Sequence, residues 1–290
     1  RTRDKEICEQ FFNDLLERLN TTYIDVLMLH FIDELDDYEK VFGKGGILEL
    51  ALKLKAQGKA RFIGMSSHKA SVSLKAVNSG YIDVLMFPVN PMFDALPGDA
   101  EIFGDTQDTD ARQEEVPGRK ELYRACAAQG VGIIAMKPYA AGQLLNSASS
   151  PVALTPAQCL SYTLSQPGVC AAVPGCKTVD ELKAALSFLD ASYKERDYSV
   201  INNASIPWGL KGNCMYCNHC LPCPSKIDIA AVNRIVDTAD VKITDIVKEQ
   251  YSKLESKASD CIKCGSCMKR CPFDVDVISK MERAVDLLEK

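Results

Sequence analysis

Residues Tyr23 to His68 read YIDVLMLHFIDELDDYEKVFGKGGILELALKLKAQGKARFIGMSSH. A short, nearly continuous apolar run, Tyr23 to Leu29, ends at His30. A second, Arg61 to Met65, ends at Ser66, Ser67 and His68. Runs of this length without polar alternation suit strands covered on both faces. Between them, Ile47 to Gln57 carries apolar residues at helical spacing and is closed by Gly58, a residue that enters the left-handed helix end without a Cβ clash. Strand, helix, strand is the unit of a parallel sheet, because a parallel partner requires a long crossover. Gly43-Lys44-Gly45-Gly46 follows no strand and lacks phosphate-loop spacing, so it is a loop before a helix.

Outward from this unit the alternation continues. Glu6 to Leu19 predicts a helix, with Ile7, Phe11, Phe12, Leu15, Leu16 and Leu19 on its apolar side. Downstream come a helix (Ser71 to Asn78), a strand (Ile82 to Phe87, followed by Pro88, Asn90 and Pro91) and a helix (Arg119 to Ala128). A strand from Val131 to Met136 ends at Lys137 and Pro138. Thr155-Pro156 predicts a capped helix to about Ser165, then a strand (Val169 to Val173, ending at Pro174 and Gly175) and a helix (Val179 to Leu189). Met92 to Gly118, polar and rich in Asp and Gly, predicts an exposed loop of lid type. Five strand–helix units predict an α/β fold with a parallel sheet, of β/α-barrel (TIM-barrel) type, with a doubly wound sheet as the alternative. His30, Ser66 to His68, Asn90, Lys137 and Gly175 all follow strands. In a barrel such residues share the face where active sites are built.

The C-terminal part has a different composition. Eight of the 13 cysteines lie in CMYCNHCLPCP (Cys214 to Pro224) and CIKCGSCMKRCP (Cys261 to Pro272). The second is C-x2-C-x2-C-x3-C-P, the spacing of the bacterial ferredoxin run, and the first is one residue shorter before its last cysteine. Three thiolates at intervals of three turn around one cubane, and the fourth, ahead of a proline, ligates the other. The expectation is two [4Fe–4S] clusters with crossed ligation: Cys214, Cys217, Cys220 and Cys271 for one, and Cys261, Cys264, Cys267 and Cys223 for the other. A pair of zinc sites is the alternative. His219 is expected to be a neighbour of the ligands rather than a ligand. Ile229 to Val236 and Ile243 to Leu254 are helix-like, which suits an α-helical type of double-cluster domain. Cys8, Cys126, Cys159 and Cys170 fall on predicted helices or strands and suit core positions, and Cys176 reads as a plain small residue.

A chain of 290 residues with net charge -5 suits a soluble protein of one large or two smaller domains and argues against nucleic acid as a partner. No apolar run approaches the roughly 20 residues of a membrane span, so no membrane partner is expected. A reducing cytoplasm is expected, since these residues read as no secretory signal and cysteines kept as thiolates suit that compartment. The sequence opens on Arg1, already in what resembles mid-domain helix, and an upstream part is expected.

The stretches YIDVLMLH (Tyr23 to His30), LKAQGKARFIGMSSH (Leu54 to His68), IDVLMFPVNP (Ile82 to Pro91), GVGIIAMKPYAAG (Gly130 to Gly142) and LTPAQCLSYTLSQPGVCAAVPG (Leu154 to Gly175) resemble the aldo-keto reductase superfamily. With the double cysteine run, the chain most resembles its branch with a C-terminal ferredoxin-like domain. The resemblance implies an eight-stranded barrel, of which the five predicted strands are the fourth to eighth. It implies a catalytic Asp, Tyr, Lys and His, of which only the histidine maps here, onto His30, to orient and polarise a substrate carbonyl. Tyr139 and Lys137 do not match the family's Tyr and Lys positions. The family's Ser-Asn that holds the nicotinamide amide appears as Ser66-Ser67, and its Gln in the sixth strand as Met86. After the last strand, where Lys, Ser and Arg often meet a 2′-phosphate, the chain has Gly175, Cys176 and Glu181. A carboxylate there repels a phosphate, which favours NADH over NADPH. Ser66, Ser67, Lys137 and Gly175 are the expected cofactor contacts.

Two domains are expected, 1–200 (reductase barrel) and 201–290 (cluster domain), joined across Ser187 to Trp208. The implied function is nicotinamide-linked reduction of a carbonyl or related small molecule, with electron relay through two [4Fe–4S] clusters. The alternatives are a carbonyl reductase with structural clusters, or an electron-transfer subunit whose barrel is a docking platform. Nicotinamides move two electrons and clusters one. A flavin would reconcile them, although the sequence carries no flavin motif. A redox protein is the implied macromolecular partner.

Overall fold

The computed structural model describes residues 2–96, 98–99, 118–147, 150, 152–203 and 212–290. Five strands form one sheet in the order β1 (Ile24–Leu29), β2 (Ala60–Ser66), β3 (Val84–Pro88), β4 (Gly132–Met136), β5 (Val169–Val173). The β1/β2 and β2/β3 pairings are parallel, with Val26 opposite Phe62 and Met65 opposite Leu85. Neighbours in the sheet are neighbours in sequence, as in the incomplete (β/α)8 barrel that the resemblance implies. Between the strands lie α1 (Lys5–Arg18) ahead of β1, then α2 (Leu35–Phe42), α3 (Ile47–Ala56), α4 (Ala70–Asn78), α5 (Pro91–Asp94), α6 (Arg119–Gln129) and α7 (Pro156–Ser165), with α8 (Val179–Leu186) after β5. The cluster segment carries α9 (Ile229–Ala239), α10 (Asp245–Ser252), α11 (Ser266–Arg270) and α12 (Val277–Leu288). Among the described residues no helix is long and apolar enough to cross a membrane.

The chain divides into two compact units. One comprises Arg1–Phe87, Pro97–Leu122 and Val131–Ile134, and the other Pro88–Leu96, Tyr123–Gly130 and Ala135–Lys290. In the first, Ile63, Met65, Leu85 and Phe87 of the central strands are fully buried. Burial of a side chain this large contributes about 1.5–3 kcal/mol. Helix α1 starts at Asp4, whose carboxylate accepts from the Ile7 amide, and it packs Phe12 and Leu16 on Leu50 and Leu54 of α3. Both pairs are spaced i, i+4, so each helix presents one stripe. The segment Leu35–Phe42, given no element by its periodicity, is a helix. Asp36 and Asp37 in its first turn complement the helix dipole, and Tyr38 and Val41 are buried.

In the second unit, α7 begins as its sequence predicts. Thr155 accepts from the Gln158 amide, Gln158 returns the bond to the Thr155 amide, and Pro156 occupies the first turn. The expected loop from Met92 is corrected at its start. The Asn90 side chain accepts from the Phe93 amide at 2.9 Å and caps the short helix α5. Asp94 then accepts from the buried hydroxyls of Tyr123 (2.6 Å) and Tyr162 (2.9 Å). The rest of that loop, 97 and 100–117, lies outside the described residues, as do 204–208 of the expected linker. The predicted helix at Val179 ends earlier, at Leu186, and passes into a tighter turn over Ser187–Leu189. Helix α12 was not predicted. Its signature is an Asp276 cap followed by Val277, Met281 and Ala284 on one buried face.

Candidate metal centres and strand-end site

The eight clustered cysteines line two cavities. Cys214, Cys217, Cys220 and Cys271 line the first and Cys223, Cys261, Cys264 and Cys267 the second, each of about 20 Å³. Each cavity therefore takes three cysteines from one run and the fourth from the other.

The backbone explains the inward turn. Tyr216 and Lys263, each preceding the second cysteine of its run, are left-handed (φ 55° and 54°). So are Asn218 and Gly265, each following it (φ 65° and 71°). Successive residues of opposite hand make a concave nest of amide groups, a setting used at phosphate and iron–sulfur sites. The correspondence continues past the fourth cysteine. Lys226 and Asp274 are both left-handed, and Asp228 and Asp276 cap α9 and α12 with the same backbone angles. The domain is thus an internal repeat, two turns of Cys-rich loop each followed by a capped helix.

The side chains suit a polynuclear group. In the first cavity burial pushes the Cys217 and Cys220 thiols up to about 12, with the neighbouring cysteines adding to it. Thiols so placed become thiolates only when a cation compensates them, and metal binding does that outright. The Asn218 Oδ1, His219 Nδ1 and Asn233 Oδ1 atoms, on three residues lining this cavity, are buried without a partner. The two amide oxygens are acceptors, which sulfides and thiolates do not satisfy, so it is the cysteines themselves that fit such a group. The Asn233 Nδ2 donates to the Cys214 Sγ at 3.3 Å, and the His219 Nε2 meets the Asp197 Oδ2 at 3.0 Å. The second cavity is walled by Ile227, Ile262, Val277 and Met281, and its Cys264 is exposed. Hydrogen bonds from Ser266 hold the Cys264 thiol below its ordinary value. Among the described residues, no three His, Cys, Asp or Glu side chains converge closely enough to share one metal ion. The four cysteines of each cavity instead ring its wall.

Tyr216, which lines the first cavity, is held by a buried carboxylate. Asp237 of α9, 3% exposed, pairs with Lys280 of α12 and accepts from the Tyr216 hydroxyl at 2.7 Å, with an Arg124 nitrogen of α6 at 3.6 Å. It ties one cysteine loop to both repeat helices and to α6.

In the first unit, the ends of β1 and β2 form a polar patch. His30, exposed, lines an open groove with Arg3, Phe11, Phe12 and Leu29. Ser66 and Ser67 are buried and their hydroxyls are engaged. Ser66 accepts from the Phe31 amide (2.8 Å), and Ser67 donates to Asp33 (3.0 Å). The outward group at the end of β2 is His68, whose Nδ1 meets the Asp33 Oδ2 at 2.9 Å. Burial raises the Asp33 carboxyl, but the bonds from His68 and Ser67 outweigh it and hold the group below the usual range. The Phe31 ring meets His68 edge-on at 5.4 Å. This Asp33–His68 pair was not foreseen, because nothing in the two local sequences marks residues 35 positions apart as partners.

In the second unit, Lys137 follows β4 in a left-handed conformation (φ 55°), and its carbonyl accepts from the Asn90 Nδ2 at 2.9 Å. Gly175 is exposed, and a Cβ there would meet nothing within 4 Å. Burial, with Cys176 and Cys159 adding to it, pushes the Tyr139 phenol up to about 12, and its hydroxyl has no partner. Glu181 accepts from the Lys177 amide (2.5 Å), so its carboxylate caps its own helix.

Comparison with known proteins bears on both halves. The family model described as "Aldo/keto reductase family" matches residues 2–152, and that described as "4Fe-4S dicluster domain" matches residues 213–276. No curated protein matches the chain. Among solved structures, the holo form of an aldo-keto reductase from Bacillus halodurans is similar at 20% identity and a TM-score of 0.50, over 68% of this chain and 66% of that one. Its apo form gives 22% identity and a TM-score of 0.47 over 66% of each chain. A reductase from Brucella melitensis gives 16% and 0.44, over 66% of this chain and 63% of that one. The chain thus spans slightly less than two thirds of the Bacillus halodurans protein's length. The parallel sheet with its polar strand ends and the family match over residues 2–152 lead to one conclusion: the chain belongs to the aldo/keto reductase family and carries a second, ferredoxin-type iron–sulfur domain.

Proposed function

We propose that the protein is an iron–sulfur oxidoreductase that reduces a carbonyl or related small molecule with a nicotinamide, NADH in preference to NADPH, and relays electrons through two [4Fe–4S] clusters. The observation that carries this reading is the sorting of eight cysteines into two cavities of four, each with one cysteine from the opposite run. Cys214, Cys217, Cys220 and Cys271 would hold one cluster and Cys223, Cys261, Cys264 and Cys267 the other. Such clusters supply one-electron steps.

The chain's own residues have these roles. His30 stands at the end of β1 to orient a carbonyl oxygen. Ser66 and Ser67, through their buried hydroxyls, hold the β1–α2 loop and so the wall beside His30. Lys137 and Gly175 are the nicotinamide contacts of this reading, and the exposed Gly175 leaves the backbone open to close approach. A redox protein is the proposed partner, a reducing cytoplasm the proposed compartment, and 1–200 and 201–290 the proposed functional division.

The test uses anaerobically prepared full-length protein with iron and sulfide assayed. NADH, then NADPH, is added while the visible absorbance of the clusters is followed. Bleaching by NADH joins the two halves in one electron path. Clusters that dithionite reduces and NADH does not would separate them and refute the relay.

A further inference from the structure

The two halves of the cluster repeat differ at an equivalent position that faces the cavities. Counting from the caps Asp228 and Asp276, Asn233 of α9 corresponds to Met281 of α12. Asn233 is 1% exposed and lines the first cavity, and Met281 is 2% exposed and lines the second. The Asn233 Nδ2 donates to the Cys214 Sγ at 3.3 Å, while its Oδ1 is buried without a partner. Leaving a buried acceptor unpaired is unfavourable. The other half shows that an apolar side chain fills the same place, so a packing role alone does not explain the amide.

A thiolate bound to iron only accepts hydrogen bonds, and Nδ2 is the donor aimed at it. Such a bond strengthens as the sulfur becomes more negative, so it stabilises the reduced cluster more than the oxidised one. We propose that Asn233 is a tuning residue that raises the reduction potential of the Cys214 cluster over the value it would have with the apolar residue of the other half. This inference rests on the cluster reading above.

The test replaces Asn233 by the side chain of the other half, Asn233→Met, in full-length anaerobic protein. Potentiometric titration is followed by electron paramagnetic resonance, with iron and sulfide assayed on the same samples. At a fixed solution potential the reduced-to-oxidised ratio of one cluster is expected to fall about tenfold, a shift of about 59 mV for a one-electron couple. The other midpoint stays in place. Asn233→Asp preserves the volume and sets a carboxylate against the sulfur, so it shifts the same midpoint further down. Two unmoved midpoints, or two that move together, overturn the proposal. So does a variant that has lost half its iron, which would make Asn233 an assembly residue. Wild-type protein that takes up no iron would instead overturn the cluster reading, and the proposal with it.

Discussion

Replacing Cys223 by serine distinguishes crossed from sequential ligation. Cys223 lies three residues from Cys220, yet the two line different cavities. The substitution removes one of four thiolates from the second cavity and none from the first. Iron is therefore expected to fall from about eight to about four per chain, as one cluster of two is lost. Pairs of substitutions make the test sharper. Cys223→Ser with Cys261→Ser damages one cavity twice, so the double variant should keep as much iron as either single one. Cys223→Ser with Cys214→Ser damages both and should lose nearly all. Residues acting through one shared centre are non-additive, and residues acting through separate centres add. The assay is iron and sulfide per chain on anaerobically reconstituted protein, with electron paramagnetic resonance of the reduced form to count the remaining centres. The reverse pattern, in which the Cys214 pairing is no worse than a single change and the Cys261 pairing loses everything, would refute crossed ligation. It would mean that each run closes on its own cluster.

Three further outcomes follow from packing and charge. Asp237→Ala leaves the Tyr216 hydroxyl and Lys280 without their shared carboxylate and should cost about 3 kcal/mol, near the lower end for a broken buried pair because Lys280 can turn to water. Urea denaturation followed by circular dichroism measures this, and a loss under 1 kcal/mol would contradict the tie between α6, α9 and α12. Gly168 is left-handed (φ 75°), and a Cβ there would sit 3.2 Å from the Ala127 nitrogen and the Tyr123 oxygen of α6. Gly168→Ala should therefore destabilise by about 2 kcal/mol, read as a lower urea midpoint at unchanged slope. The Asp33 carboxyl lies below its ordinary value in the folded chain, so its contribution is complete above the unfolded value of about 3.9 and is lost as pH falls through the folded one. Between neutral pH and pH 3 the Asp33→Asn variant should lose less stability than the parent. Parallel urea-midpoint curves would show that the carboxylate is not held by His68 and Ser67.

The sequence by itself determined the order of elements and the class of chemistry. Apolar runs ending in polar residues, the Thr155-Pro156 cap and cysteines at intervals of three are local patterns, and local patterns survive without coordinates. Helices α2 and α12 are less legible, the first because acidic residues crowd its start and the second because it begins directly after the Pro272 to Asp276 turn that closes the last cysteine run. The short α5 depends on a single Asn90 cap that resembles any turn. Tertiary structure alone decided what surrounds each centre. Asn233 meets Cys214 across 19 residues, and Asp33 meets His68 across 35. Ser66 and Ser67, strand-end residues to the sequence reader, point their hydroxyls at the loop that follows β1. A side chain's partner depends on where two distant backbones cross, and no local spacing encodes that crossing. Hence the cysteines could be listed from the sequence, while the groups that meet them had to be seen in the fold.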